Sequence, residues 1–128
     1  MIGVHSERGC ASTAHIPAIR SNPVAAIINS PGTGKQVWES DKVTYLKDGA
    51  SIHLTPNGDS VLLYTDRGEL IRAQLTSAGY KEISRVAVLE PTFPFAGRNV
   101  AWSPPAYANR HIFARNSKEL ICASLAKP

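Results

Sequence analysis

The sequence has no apolar run approaching the ~18 residues that a membrane-spanning helix requires. It is also modest in charge, with Asp, Glu, Lys and Arg making up 19% against 43% apolar residues. That balance belongs to a soluble globular chain, neither disordered nor membrane-embedded. Cysteine is scarce: Cys10 and Cys122 stand near opposite ends, and only a fold that joins those ends would let them bridge. Ser6-Glu7-Arg8-Gly9 precedes Cys10 where a lipid-anchor cysteine would follow an apolar segment. No signal-peptide apolar core opens the chain either, so it is expected to be cytosolic, or else its first residue is not the true start of the gene product. There is no basic block. The fourteen Lys and Arg, for a net charge of +4, are scattered from Arg8 to Lys127 among acidic residues. A solvated surface explains that pattern better than a nucleic-acid footprint does.

Catalytic signatures are missing as well. His5, Cys10 and His15 are metal-capable residue types, but a structural zinc site needs four ligands, two of them usually in a closer pair. Pro31-Gly32-Thr33-Gly34-Lys35 is part of a phosphate-binding loop, and both ends of the full motif fail. Asn29 stands at its first glycine and Gln36 where a magnesium-binding hydroxyl should follow Lys35. No amphipathic helix follows against which a phosphate could sit. The segment reads instead as a Gly-rich turn between two strands, Val24–Ile28 and a second containing Val37 and Trp38. No stretch of the chain shows a helical period.

What is present is a repeat. Val61–Leu75 (VLLYTDRGELIRAQL) and His111–Leu125 (HIFARNSKELICASL) agree, laid over each other without a gap, at Glu69/Glu119, Leu70/Leu120, Ile71/Ile121, Ala73/Ala123 and Leu75/Leu125. Each copy is an apolar run, a polar interruption and a second apolar run: strand, tight turn, strand. Around the first copy the pattern predicts a four-stranded antiparallel meander over residues 50–89. Its strands are Ser51–Thr55, Val61–Thr65, Glu69–Thr76 and Tyr80–Leu89. The turns fall at Asn57-Gly58, at Asp66-Arg67-Gly68 with Gly68 left-handed, and at Ser77-Ala78-Gly79. Leu62 or Leu63, Ile71 and Leu75 are the expected core, and the apolar run Val61–Thr65 suits an inner strand buried on both faces. Lys118 matches Gly68 in the second copy. That turn therefore either uses another geometry, with Asn116 in the left-handed site, or strains Lys118. Glu90–Arg98 reads as a loop, Asn99–Ser103 as a strand with Val100 and Trp102 on one face, and Pro104-Pro105 as a break. Residues 99–125 are expected to form a second sheet packed face to face on the first. Met1–Pro23 carries no period and reads as irregular. Asp59, Asp66, Glu69 and Glu119 each have a plain turn or strand-start explanation.

Three stretches together resemble one family. Thr33-Gly34-Lys35-Gln36-Val37-Trp38-Glu39 resembles the T-G-K-x-x-W closing signature of the pyrroloquinoline-quinone-like (PQQ-like) propeller repeat. Gly68-Glu69-Leu70-Ile71, with Gly79–Ser84 and Leu89–Thr92, is similar to late blades of bacterial PQQ-like repeat proteins. So is Trp102–Arg110, followed by Phe113–Asn116 and Glu119–Cys122. The resemblance covers residues 24–128 and leaves 1–23 outside. It implies an all-β fold of antiparallel four-stranded blades, a partial β-propeller of about two and a half blades. Gly34, Trp38, Gly58, Gly68, Leu70, Gly79, Trp102 and Leu120 then have structural roles, and both tryptophans should be buried between blades.

The resemblance implies a fold more than an activity. Enzymes of the family are quinone-dependent alcohol or sugar dehydrogenases with an Asp base and a calcium site. Other members are scaffolds without cofactor. No calcium-ligand cluster and no adjacent cysteine pair is present in this sequence. The expected function is a non-catalytic interaction module made of C-terminal blades, with no catalytic, cofactor-binding or metal residues of its own. A dehydrogenase fragment whose cofactor site lies in missing blades is the alternative. A full-length family member would be periplasmic or secreted. The expected partners are a protein or missing blades, with no nucleic acid and no membrane span. A third unit without its outer strand also points to a piece of a larger propeller, or to an oligomer through exposed blade edges.

Overall fold

The structure, a computed structural model, describes residues 26–29, 33, 35–40, 42–43 and 50–126. Every element among the described residues is a β-strand, and the strands pair antiparallel. No helix there is long and apolar enough to cross a membrane. The chain divides into two compact units. Of the described residues, those up to Ala50 with Leu75–Lys81 make one, and Ser51–Gln74 with those from Glu82 onward make the other. In the first unit, β1 (Ala26–Asn29) and β2 (Gln36–Ser40) form the expected hairpin, with Ile28 opposite Trp38. The Trp38 side chain and Gly34 lie outside the described residues, as does the segment 1–23.

The meander expected over residues 50–89 is present. Strands β3 (Ile52–Asn57), β4 (Ser60–Thr65), β5 (Glu69–Thr76) and β6 (Gly79–Ala87) make a four-stranded sheet in sequence order. The inner strand β4 is the most apolar stretch, and Leu62, Leu63, Tyr64 and Thr65 are all buried. The edge strand β6 is exposed from Lys81 to Ala87, which matches its polar sequence. Leu75, expected in the core, is only half-buried, because it lies next to the exposed end of β5 at Thr76.

The first turn differs in detail from the expected Asn-Gly pair. Asn57 is the last residue of β3, opposite Ser60, and the turn proper is Gly58-Asp59. Two bonds hold Asn57 in the ladder: its side-chain amide donates to Ser60 Oγ at 3.2 Å, and that hydroxyl donates to the Asn57 carbonyl at 2.9 Å. Gly58 takes φ 61°. The second turn is as read from the sequence. Gly68 has φ 74°, and its N–H donates to the Thr65 carbonyl at 3.0 Å. The third turn is Ser77-Ala78, with Gly79 opening β6 at φ 134°.

Beyond residue 90 the sequence reading needs two corrections. The segment read as a loop contains β7 (Phe93–Phe95), paired with β8 (Arg98–Val100), so Trp102 lies past the strand in which it was expected. The turn between them is Ala96-Gly97, both left-handed at φ 47° and 78°, a pattern that strand-pairing twist favours and that Ala adopts at a cost. The second sheet is three-stranded: β9 (Ala106–Ala108), β10 (His111–Arg115) and β11 (Leu120–Ser124), in spatial order β11-β10-β9. Asn109 and Arg110 form its left-handed turn at φ 48° and 61°.

The two sheets share one core. Leu62, Tyr64 and Leu70 from the first cluster with Ile112 and Ala114 from the second, and Leu89 completes the group. Tyr107, Ile121 and Ala123 pack against it from the same face of the second sheet.

The gapless overlay of the two repeats does not survive in the pairing. Tyr64 pairs with Leu70 across the five residues 65–69, whereas Arg115 pairs with Leu120 across the four residues 116–119. Aligning β5 with β11 by their identities puts Ile71 with Ile121 and Ala73 with Ala123. Their cross-strand partners then match Leu63 with Ala114 and Val61 with Ile112. The second hairpin is thus one residue shorter between its strands, and the missing residue falls in the 116–119 loop, which resolves the question of Lys118. Neither it nor Asn116 is left-handed. The Asn116 side chain caps the turn instead, Oδ1 accepting from the N–H groups of Lys118 and Glu119, each at 2.8 Å.

Candidate functional site

Three features of the larger unit carry side chains that could act on another molecule. The first is built on Asp66, the opening residue of the β4–β5 turn. Its side chain is fully buried, and Oδ2 accepts from Arg98 Nη2 at 2.7 Å and from the Ser51 N–H at 3.2 Å. The backbone completes the tie. Asp66 N–H donates to the Ser51 carbonyl, and the Asp66 carbonyl accepts from Ala101 N–H at 2.7 Å. One residue thus joins the start of β3, the β4–β5 turn and the β7–β8 hairpin. A catalytic carboxylate must reach a substrate, and this one is enclosed by groups that fix the backbone. The sequence reading gave it a turn role and missed its ion pair, since Arg98 lies thirty-two residues further along.

The second feature is a polar seam in the shared core. His53 stands opposite Tyr64 on neighbouring strands, with ring centroids 6.5 Å apart. Tyr64 and Tyr107 come from different sheets, and neither hydroxyl has a hydrogen-bond partner; nor does His53 Nε2. Burial pushes the Tyr64 phenol above its ordinary value. Burial, and then the neighbouring Tyr64, push Tyr107 up strongly. Both are held neutral, which suits packing and not proton transfer near neutral pH.

The third feature is exposed. Phe93, Phe95 and Trp102 lie open at and just beyond the β7–β8 hairpin, Trp102 meeting Phe95 edge to face with centroids 4.9 Å apart. On the second sheet, the face turned away from the shared core carries Phe113, Leu120 and Cys122, and Leu120 is 71% exposed. Cys122 is a free, exposed thiol.

The residues given structural roles by the sequence end in different places. Gly58, Gly68 and Gly79 occupy turns in left-handed conformations. At Gly68 a side chain would run into the carbonyl of Leu89, while Gly58 and Gly79 have open space around them. Leu70 is core. Its sequence counterpart Leu120 takes the equivalent place on the second sheet, where that face is turned away from the shared core and open. Trp102 was expected to be buried and is 40% exposed: the strand ends two residues before it, and its ring meets the exposed Phe95 edge to face.

Among the described residues, no three His, Cys, Asp or Glu side chains gather as metal ligands would. His5, Cys10 and His15 lie outside the described residues, as do the glycines of the Gly32–Lys35 segment. No family model, curated protein or solved structure matches the chain.

Proposed function

We propose that the chain is a non-catalytic interaction or scaffold module made of the late blades of a PQQ-like β-propeller. The observation that supports the reading is the direction of the stack. In the register fixed by strand pairing, Leu62, Tyr64 and Leu70 of the first sheet correspond to Phe113, Arg115 and Leu120 of the second. The opposite face of the first sheet, with Val61, Leu63, Ile71 and Ala73, corresponds to the face of the second that enters the shared core. Equivalent faces therefore point the same way, as blades do around a ring, whereas two sheets related by a dyad would set equivalent faces against each other. The groups best placed for chemistry support a scaffold too. Asp66 is enclosed in a structural ion pair, and the two buried tyrosines are held neutral.

A titration with pyrroloquinoline quinone in the presence of calcium, followed by absorbance and tryptophan emission, tests this directly. No saturable change is expected. Saturable, calcium-dependent binding would overturn the non-catalytic reading in favour of a quinone-dependent dehydrogenase.

A further inference from the structure

The outer face of the β9–β11 sheet is equivalent to a surface that is already covered elsewhere in the molecule. Strand pairing sets Phe113 in the place of Leu62, Leu120 in that of Leu70 and Cys122 in that of Arg72. On the first sheet Leu62 and Leu70 are buried in the shared core; on the second, Leu120 and Cys122 are exposed. Strands β10 and β11 cover the first sheet with small and branched residues, Ile112, Ala114, Ile121 and Ala123, and β9 adds Tyr107. Alanines at two of these four positions let one backbone lie close to large residues on its neighbour.

We propose that the outer face of β9–β11 seats a further antiparallel sheet of the same repeat type, one that presents an Ile/Ala face like that of β10–β11. The proposal rests on the stacked-sheet reading above and names the partner that reading leaves open. Its argument is continuity with an interface the molecule already makes, since the same kind of face is covered once and left open once. A second copy of this chain does not supply the occupant. Its corresponding Leu63, Ile71 and Ala73 are buried within the chain. Two outer faces meeting each other would oppose Phe113 and Leu120 to the same large residues, with Arg115 on both sides.

The identity of Leu75 and Leu125 fixes how to supply such a sheet. A second copy of residues 76–126, carrying Cys122→Ser, is joined directly after Leu125 in a chain that also carries Cys10→Ser. Cys122 of the first copy is then the one thiol. Its reaction with a small aromatic disulfide reports whether the face is covered. In the unextended Cys10→Ser chain it should react at the rate of an open thiol, independently of protein concentration. In the extended chain the rate should fall at least tenfold. Leu120→Glu in the first copy should restore it, while leaving the melting temperature of the unextended chain unchanged.

An unchanged rate in the extended chain overturns the proposal, whether or not the added residues are ordered, because the same residues order themselves on the equivalent face of the first sheet. Slow reaction in the unextended chain that speeds up on dilution also overturns it, by making a second copy the occupant. The scaffold reading is tested separately by the quinone titration, so the two can fail independently.

Discussion

Arg98 Nη2 donates to Asp66 Oδ2 at 2.7 Å, and it does so to a carboxylate that has no exposure to water. Removing the cation strands a buried negative charge. For a fully enclosed pair that loss is about 3–5 kcal/mol, and Arg98 is partly in solvent, so about 2–3 kcal/mol is expected for Arg98→Met. Asp66→Asn/Arg98→Met should cost clearly less than the two single changes summed, as urea unfolding would show. Additive losses would mean that the pair is not coupled.

Gly68→Ala and Gly58→Ala separate two costs that a left-handed glycine can carry. At Gly58 the added methyl meets nothing, and only the backbone preference is lost, about 1 kcal/mol. At Gly68 the methyl also drives into the Leu89 carbonyl, and the Gly68 carbonyl itself accepts from Val88 and Leu89 N–H. Displacing that junction should raise the loss to about 2–3 kcal/mol. Equal midpoints for the two variants in denaturant would refute the close approach.

Arg110→Gly should stabilise. Arg110 holds φ 61° beside Asn109 at 48° in the β9–β10 turn, and its backbone carbonyl accepts from Leu125 N–H at 2.7 Å. Glycine keeps that bond and removes the left-handed penalty. After its larger unfolded-state entropy is allowed for, the gain is about 0.5–1 kcal/mol. A lower melting temperature would count against the turn geometry.

Alkaline pH should unfold the protein through its core tyrosines. Folding raises both phenols above the ordinary 10.0, Tyr107 strongly, so the folded chain holds these protons more tightly than the unfolded one. Their contribution is intact below about pH 10 and is lost as pH rises beyond it, by up to about 1.4 kcal/mol per pH unit for each group. Tyr107→Phe removes a hydroxyl with no partner. It should change stability at neutral pH by less than about 1 kcal/mol and flatten the alkaline loss. Phenolate absorbance that appears in the folded state near pH 10 from all the tyrosines would contradict this.

Trp102→Ala should be mild. The ring is 40% exposed and meets Phe95 edge to face at the surface, so about 1 kcal/mol is at stake, far less than the ~3–5 kcal/mol of a buried tryptophan. Iodide should quench its emission in a Trp38→Phe background. Resistance to quenching would show that it is covered.

The sequence made the first sheet legible because each local signal there agrees with the fold. The Val61–Thr65 run, the alternation of Ile71 and Ala73, and Gly68 after two polar residues all specify one meander. The β7–β8 hairpin was hidden because Phe93-Pro94-Phe95 is short, contains a proline and turns on an alanine. Its attachment depends on Arg98 reaching Asp66, a contact that no local pattern records. Trp102 was misplaced for the same reason. The open and covered faces could not be read at all, since Leu70 and Leu120 are identical letters in identical contexts. They differ in that the β9–β11 sheet lies over Leu70 while Leu120 faces away from the shared core, which no local pattern records.

The four residues 116–119 between Arg115 and Leu120 are one fewer than the five, 65–69, between Tyr64 and Leu70, and that difference acts as a parity switch. In a strand, side chains alternate, so changing a hairpin loop by an odd number exchanges inside and outside for one of its two arms. The residue missing before Leu120 is matched by a one-step offset in β10, whose Ile112 and Ala114 answer to Val61 and Leu63 instead of to Leu62 and Tyr64. Loop length and side-chain pattern have therefore changed together. Along an array built from such hairpins, insertions of two residues are conservative edits. A single insertion or deletion is tolerated only where a strand has been rewritten one letter out of phase.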